Sequence, residues 1–331
     1  MRPDTTIRVL KFFGLALLGS WLATAQTLIQ AELWPAKPIR LIVPFPTGGT
    51  SDILARMIGQ KLTEVWNQPL VVDSRPGANG NIGVDIMARA PADGYTLCLM
   101  DVGNLSISPS MYTKMPFDIL RDLATLSMIS YSPHLVTVHP SVPVNSVGEL
   151  IALAKKKPGK LNFPVGLGSA VHLAGLALEQ RTGAHWVYVP TKGGTQSILT
   201  VTTGEADLLF MGILQSLPHV KSGRLKLIAV SSTKRDPHLP NTPTVAETPG
   251  LEGFTTGSYQ GLIAQAKLPH EIIQKINLEV GRILGFSDVK EKLLSQGTLP
   301  LPMSPTEMGQ WLANEKQRWA QVVRLSGFKI E

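Results

Sequence analysis

The chain has 331 residues, enough for two compact lobes, and its 44% hydrophobic and 17% charged residues, with 25 prolines and 30 glycines, exclude a disordered or low-complexity protein. A formal charge of +7 suits anionic solutes or a membrane surface, but the basic residues form no stripe or run, which argues against nucleic acid. The single cysteine, Cys98, excludes an internal disulfide and lies too far along the chain to be a lipid-anchored N-terminal residue.

Arg2, Arg8 and Lys11 precede an apolar run from Phe12 to Leu22 and then Ala23-Thr24-Ala25, the pattern of a signal peptide over residues 1–25. The run is shorter than the roughly 20 residues a membrane-spanning helix needs, so an exported, soluble, periplasmic protein is expected. Removing the segment takes away three basic residues and one acidic one and lowers the formal charge from +7 to +5.

From Pro38 a pattern repeats: a β-rich run, a glycine loop, a helix-period segment. "IRLIVPF" leads through "PTGGTSD" to a helix with Leu54, Met57, Ile58, Leu62 and Val65 on one face. "PLVVDSR" leads through "PGANGNIG" to "VDIMARA", and "DGYTLCLM" is a further strand. Such alternation implies an α/β fold with a mainly parallel sheet, because parallel strands need helical crossovers.

A second set starts near His134: strand "HLVTVHP", helix "VGELIALAKKK" behind Ser146, strand "KLNFPV" and helix "VHLAGLALEQ". Strand "HWVYVP", helix "TQSILTVTT" and strands "ADLLFM" and "LKLIAVS" follow. "KRDPHLPNTPTVAETPG" is too rich in proline and turn formers for regular structure. Strand "YQGLIAQ" and three helices end the chain and are expected to cover the first sheet. The division expected is therefore residues 32–129 with 255–331 as one lobe and 130–254 as the other, with a cleft between them and two crossover segments.

Ligands of such sheets sit at the C-terminal ends of parallel strands. In the first loop Gly48 and Gly49 permit close backbone approach, and Ser51 or Asp52 can cap a helix whose free N–H groups favour an anion. A glycine turn with an ordinary cap has the same pattern. No Gly-Lys-Ser/Thr and no G-x-G-x-x-G follow, so a nucleotide cofactor loses its support. In the second loop Gly166 and Gly168 precede Ser169, Ala170 and His172 at another helix start. Two such starts facing one cleft suit a solute with a carboxylate at each end, and the pair is more informative than either alone.

Ser169 and His172 are also spaced as a nucleophile and base of an exported hydrolase, but no G-x-S-x-G elbow or orienting carboxylate accompanies them, and a ligand contact or a helix-face histidine is the better reading. The third loop supplies Thr191, Lys192 and Gly193, where Lys192 either attracts a carboxylate or is simply solvated. Asp207 heads a strand, where a structural role competes with a ligand contact. Phe45, Pro46 and Thr47, which enter the first loop, and Asn104, after "DGYTLCLM", complete the candidate binding set. "RPGANGNIG" is read as a connecting loop that borders the cleft at most. The histidines show no metal-binding spacing, so neither a metal nor another cofactor is expected.

From "WPAKPIRLIVPFPTGGTSDILAR" onward, the blocks "RPGANGNIG", "ADGYTL", "GLGSAVHLAG", "VPTKGG", "LPNTPTVAETPG" and "SGRLKLIAVSSTKR" resemble the Bug-type receptors of tripartite tricarboxylate transporters. The resemblance covers nearly the whole chain after the signal segment. It implies a two-lobed fold of the periplasmic-binding type II kind, monomeric and without enzymatic activity, that closes on a small carboxylated solute and serves membrane permease subunits. It also implies that backbone amides and bridging waters of the loops at Thr47–Asp52 and Gly166–His172 hold the solute. Three positions depart from the family pattern: Thr47 for proline, Pro164-Val165 for two serines, and Thr191 for tyrosine. They leave room for an atypical solute, and a sensory module with the same cleft is a further reading.

Overall fold

The computed structural model describes residues 34–237 and 239–328, so the signal segment and His238 lie outside the described residues. β1 (Ile39–Val43) is followed by α1 (Thr50–Trp66), β2 (Leu70–Ser74), a single 3-10 turn (Ala78–Gly80), α2 (Asn81–Ala88), β3 (Thr96–Asp101) and α3 (Val102–Met111). β4 (Leu123–Val138) leads to α4 (Val147–Lys156), β5 (Asn162–Val165), α5 (Ala170–Thr182), β6 (Val187–Pro190) and α6 (Gly194–Thr202). Next come β7 (Leu208–Gly212), α7 (Ile213–Lys221), β8 (Lys226–Val230), a 3-10 turn (Val245–Glu247) and β9 (Gly257–Gln265). α8 (His270–Leu284), α9 (Ser287–Ser295), β10 (Leu299–Pro300) and α10 (Pro305–Ser326) finish the chain.

The class is α/β, and the sheet is mixed where the sequence pattern implied a mainly parallel one. β1 pairs in parallel with β2 and β3, as β5 does with β6, but β9 is antiparallel to β3 and to β4. β4 causes the difference. Its residues Leu123–Pro133 pair with β9, and its remaining residues pair antiparallel with β7 and β8. A strand that leaves one lobe and a strand that returns to it run in opposite directions, so side by side they can only be antiparallel.

Apolar spacing explains where the helices lie. In α1, Leu54, Ala55, Ile58 and Leu62 are buried with Ile39 and Leu41 of β1 and with Ile272, Ile276 and Val280 of α8. A separate core gathers Phe163, Trp186 and Phe210 with Leu150 and Leu178. α10 serves both lobes: Met308 and Leu312 pack with Met100 and Met128, whereas Trp319 and Val323 join the Phe163 core. Its start carries a reciprocal Ser304–Glu307 cap behind Pro305, and it ends at Gly327 in the left-handed conformation.

Two helices had no clear sequence signal. α3 is buried nearly all round, so it lacks a polar face, and it contains Pro109. α7 is short and contains Pro218. Thr244 and Glu247 form a reciprocal cap on the short 3-10 turn Val245–Glu247 inside the proline-rich stretch.

Candidate functional site

A cavity of about 1120 Å³ lies where the loop ends of β1, β5 and β6 converge with the first 3-10 turn, the start of α3 and strand β9. Of the residues singled out in the sequence, Phe45, Pro46, Thr47, Gly48, Gly49 and Ser51 line it from the β1 side. Asn104 lines its floor, Gly166 and Ser169 stand at the α5 start, and Thr191, Lys192 and Gly193 stand at the β6 loop. Ala170 instead lines a smaller space of about 140 Å³ that shares the Asn104 and Ser169 walls. Gly168, Asp52, His172 and Asp207 are not lining residues, and each is engaged elsewhere.

Asp52 and His172 hold the loops. Asp52 Oδ2 accepts the Gly48 N–H at 3.0 Å, and its carboxylate also meets Arg56 at 3.0 Å. Burial pushes the Asp52 pKa up, but the Arg56 guanidinium and the Gly48 N–H outweigh it and hold it below the ordinary value. His172 Nδ1 accepts the Gly168 N–H at 3.1 Å, while the ring packs edge-on against Tyr188 and Phe328. Burial lowers the His172 pKa to about 4, so the ring is neutral. Asp207 accepts the Asn162 N–H at 2.7 Å and tethers the edge of β5.

The helix starts share one backbone. Gly48 and Gly168 have φ of +79° and +77°, and the caps that follow, Gly49 and Ser169, have φ, ψ of −79°, 170° and −78°, 166°. A positive φ suits glycine, which explains the first glycine of each loop. Gly49 gives α1 no side-chain cap, whereas Ser169 Oγ accepts the His172 N–H at 3.3 Å. Asn104 Oδ1 accepts the Ala170 N–H at 2.9 Å, which turns the Asn104 amide hydrogens away from that helix start.

Three floor residues were missed. Asp101 caps α3, its Oδ1 accepting the Gly103 and Asn104 N–H groups at 2.9 and 3.2 Å. Ser258 donates to Asp101 Oδ2 at 2.5 Å, Gln260 Nε2 donates to Ser258 Oγ at 2.8 Å, and Ser51 Oγ donates to Gln260 Oε1 at 2.7 Å. Burial raises the Asp101 pKa, opposed by the hydrogen bonds from Ser258, Asn104, Gly103 and Tyr259. A signal existed: Asp101 ends a parallel strand, and Ser258 and Gln260 are polar at alternate positions of β9, which places them on one face.

The turn at Gly77–Gly80 does more than connect. Pro76 to Gly80 line the cavity, and Asn79 Nδ2 donates to the Leu167 carbonyl at 3.3 Å, joining this turn to the α5 loop. Thr191, where the resemblance leads one to expect tyrosine, bonds Ser197 Oγ at 2.7 Å. Pro164 and Val165 are buried in β5 and do not reach the cavity wall.

Residues 54–328 match the family described as "Tripartite tricarboxylate transporter family receptor". The chain belongs to that family. The receptor is 34% identical over 321 residues to Protein BugT of Bordetella pertussis, covering 96% of this chain and 98% of that one. Among solved structures it resembles R. palustris Rpa4515 with adipate, at 34% identity and a TM-score of 0.82, over 89% of this chain and 99% of that one. MatC from Rhodopseudomonas palustris with bound malate is 27% identical, with a TM-score of 0.78 over 88% of this chain and all of that one. In the receptor Ser169 and His172 do not form a nucleophile and its base, because the serine oxygen meets the histidine backbone and the ring nitrogen Nδ1 is taken by Gly168.

Proposed function

We propose that this receptor, exported to the periplasm by residues 1–25, binds a small carboxylated organic solute between two lobes and presents it to the membrane permease of a tripartite transporter. Residues 130–254 close against residues 32–129 and 255–331, and the solute stabilises the closed arrangement. The receptor acts as a monomer and performs no chemistry on what it carries. One observation supports this reading above others: two helix starts of the same backbone shape open on one cavity.

The amides at Thr50 and Ser51 and at Val171 are the proposed carboxylate seats, with the Asn104 amide between them. Thr47, Gly49, Gly166, Thr191 and Gly193 shape the surrounding wall. Each helix start contributes about 0.3–1 kcal/mol toward an anion, and up to about 2 kcal/mol when partly buried, so two seats favour a dianion over a monoanion. Lys192 is exposed on the cavity wall and raises the local concentration of anions without being a fixed partner. The two related structures hold adipate and malate, both dicarboxylates, which supports a reading with two carboxylate seats.

Calorimetric titration of the ligand-free receptor with a panel of mono- and dicarboxylates tests the proposal. A dicarboxylate that binds at least about tenfold tighter than its monocarboxylate counterpart is the expected result. A panel with no binder at all would sink it.

A further inference from the structure

We propose that Ser51 selects, among carboxylates, those that carry a hydroxyl group beside the carboxylate, because the hydrogen-bond chain beneath Ser51 leaves its oxygen only able to accept. This rests on the carboxylate reading of the cavity and specifies the chemical class of the solute.

The direction of the chain follows from its buried end. Asp101, 9% exposed, is met by N–H donors from Gly103 and Asn104 and by the Ser258 hydroxyl, so its oxygens serve as acceptors. A serine has one proton, and that of Ser258 is committed to Asp101. Ser258 Oγ can then only accept from its other neighbour, which turns Gln260 Nε2 toward it and Gln260 Oε1 toward Ser51. The Ser51 proton is committed in turn to Gln260. Both residues line the cavity, so Ser51 offers it lone pairs and Gln260 offers its second amide hydrogen.

An acceptor and a donor side by side fit a hydroxyl, which can donate to Ser51 and accept from Gln260. A carboxylate oxygen against Ser51 Oγ would set lone pairs against lone pairs, so the carboxylate belongs at the helix-start amides next door. A methylene there leaves Ser51 Oγ with no partner from the solute. An ammonium satisfies Ser51 but meets the Gln260 N–H with the wrong polarity.

The test is calorimetric titration of the mature receptor with matched pairs, succinate with 2-hydroxysuccinate and adipate with 2-hydroxyadipate. For the pair of fitting length, the hydroxy acid should bind about tenfold tighter than the unsubstituted acid, the scale of one hydrogen bond made or left unmade. Ser51→Ala should weaken the hydroxy acid about tenfold more than its counterpart. Ser258→Ala, which frees the Gln260 amide to turn over, should shrink the preference with Ser51 still in place, and thermal melting checks that both variants are folded. Equal or tighter binding of the unsubstituted acid, or variants that weaken both acids alike, overturns the inference while the carboxylate reading stands. Binding of none of the four acids, with none among the wider panel, overturns the reading and the inference together.

Discussion

The starts of α1 and α5 have the same backbone and are held by different chemistry. In each, the residue three positions into the helix reaches back to accept the N–H of the left-handed glycine: Asp52 to Gly48 and His172 to Gly168. The first acceptor is a carboxylate paired with Arg56; the second is a neutral imidazole in an aromatic pocket. The loop needs an acceptor at that point, and the charge on it is a matter of surroundings. At α1 the guanidinium compensates a negative charge, and at α5 Tyr188 and Phe328 exclude one.

The largest way to break this equivalence is His172→Leu. The Gly168 N–H loses its acceptor in a buried place and the edge-on ring contacts disappear, so unfolding free energy should fall by about 3 kcal/mol. The same variant should also change the response to acid. His172 and His134 each have a pKa lowered from 6.5 to about 4 by burial. As pH falls from 6.5 toward 4, the unfolded chain takes up protons that these folded sites refuse. Stability is therefore fully present above pH 6.5 and is lost through that window, on the order of 3 kcal/mol per histidine. Urea unfolding at several pH values should show a shallower acid loss in His172→Leu than in the parent. An unchanged slope would mean that the ring is already charged or exposed in the fold.

Gly48→Ala comes next. A Cβ at Gly48 meets nothing within 4 Å, so the substitution tests the φ of +79° alone. Left-handed backbone costs a side-chain-bearing residue roughly 1–2 kcal/mol, and relaxation of the turn moves the Thr50 and Ser51 amides out of the cavity. Solute affinity should fall about tenfold. Gly223→Ala is the control: φ is +73°, nothing lies within 4 Å, and the residue is remote from the cavity lining, so stability should fall alike and affinity hold. If both variants kept the parental affinity, the conformation of Gly48 would have no bearing on the seat.

Much of this fold is legible in residue order. The glycine-helix starts at Gly48 and Gly168, the strands leading to them and the two-lobed α/β class follow from local spacing. β4 shows what is not. Its antiparallel pairing with β9 joins residues about 130 positions apart, and no local pattern records it. The site divides in the same way. Gly48 and Ser169 announce themselves through turn and cap chemistry, whereas Ser51, read as a possible cap, leaves that place to Gly49 and turns its hydroxyl to Gln260. Asp52 and His172 announce themselves equally well, yet their side chains turn back onto the loop, a direction that spacing does not carry. Asp101, Ser258 and Gln260 become a site only when β9 returns beside β3 and sets two segments some 160 residues apart within hydrogen-bond reach.

Asp52→Asn makes the smallest change and asks whether the carboxylate charge at α1 matters at all. The asparagine Oδ1 can still accept the Gly48 N–H, so the loop keeps its shape, and only the charge and the Arg56 pairing go. Arg56 is largely exposed, and exposed pairs contribute about 0–1 kcal/mol, so stability should change by less than about 1 kcal/mol. A negative charge within the first turn of the helix opposes an anionic solute there, and the α5 start holds the same backbone with a neutral acceptor. Affinity for a dicarboxylate should therefore hold or rise up to about threefold, more at low salt than at high. A tenfold fall in calorimetry, with the melting temperature unchanged, would show that α1 needs the charge itself, and that the two starts share a shape without sharing a principle.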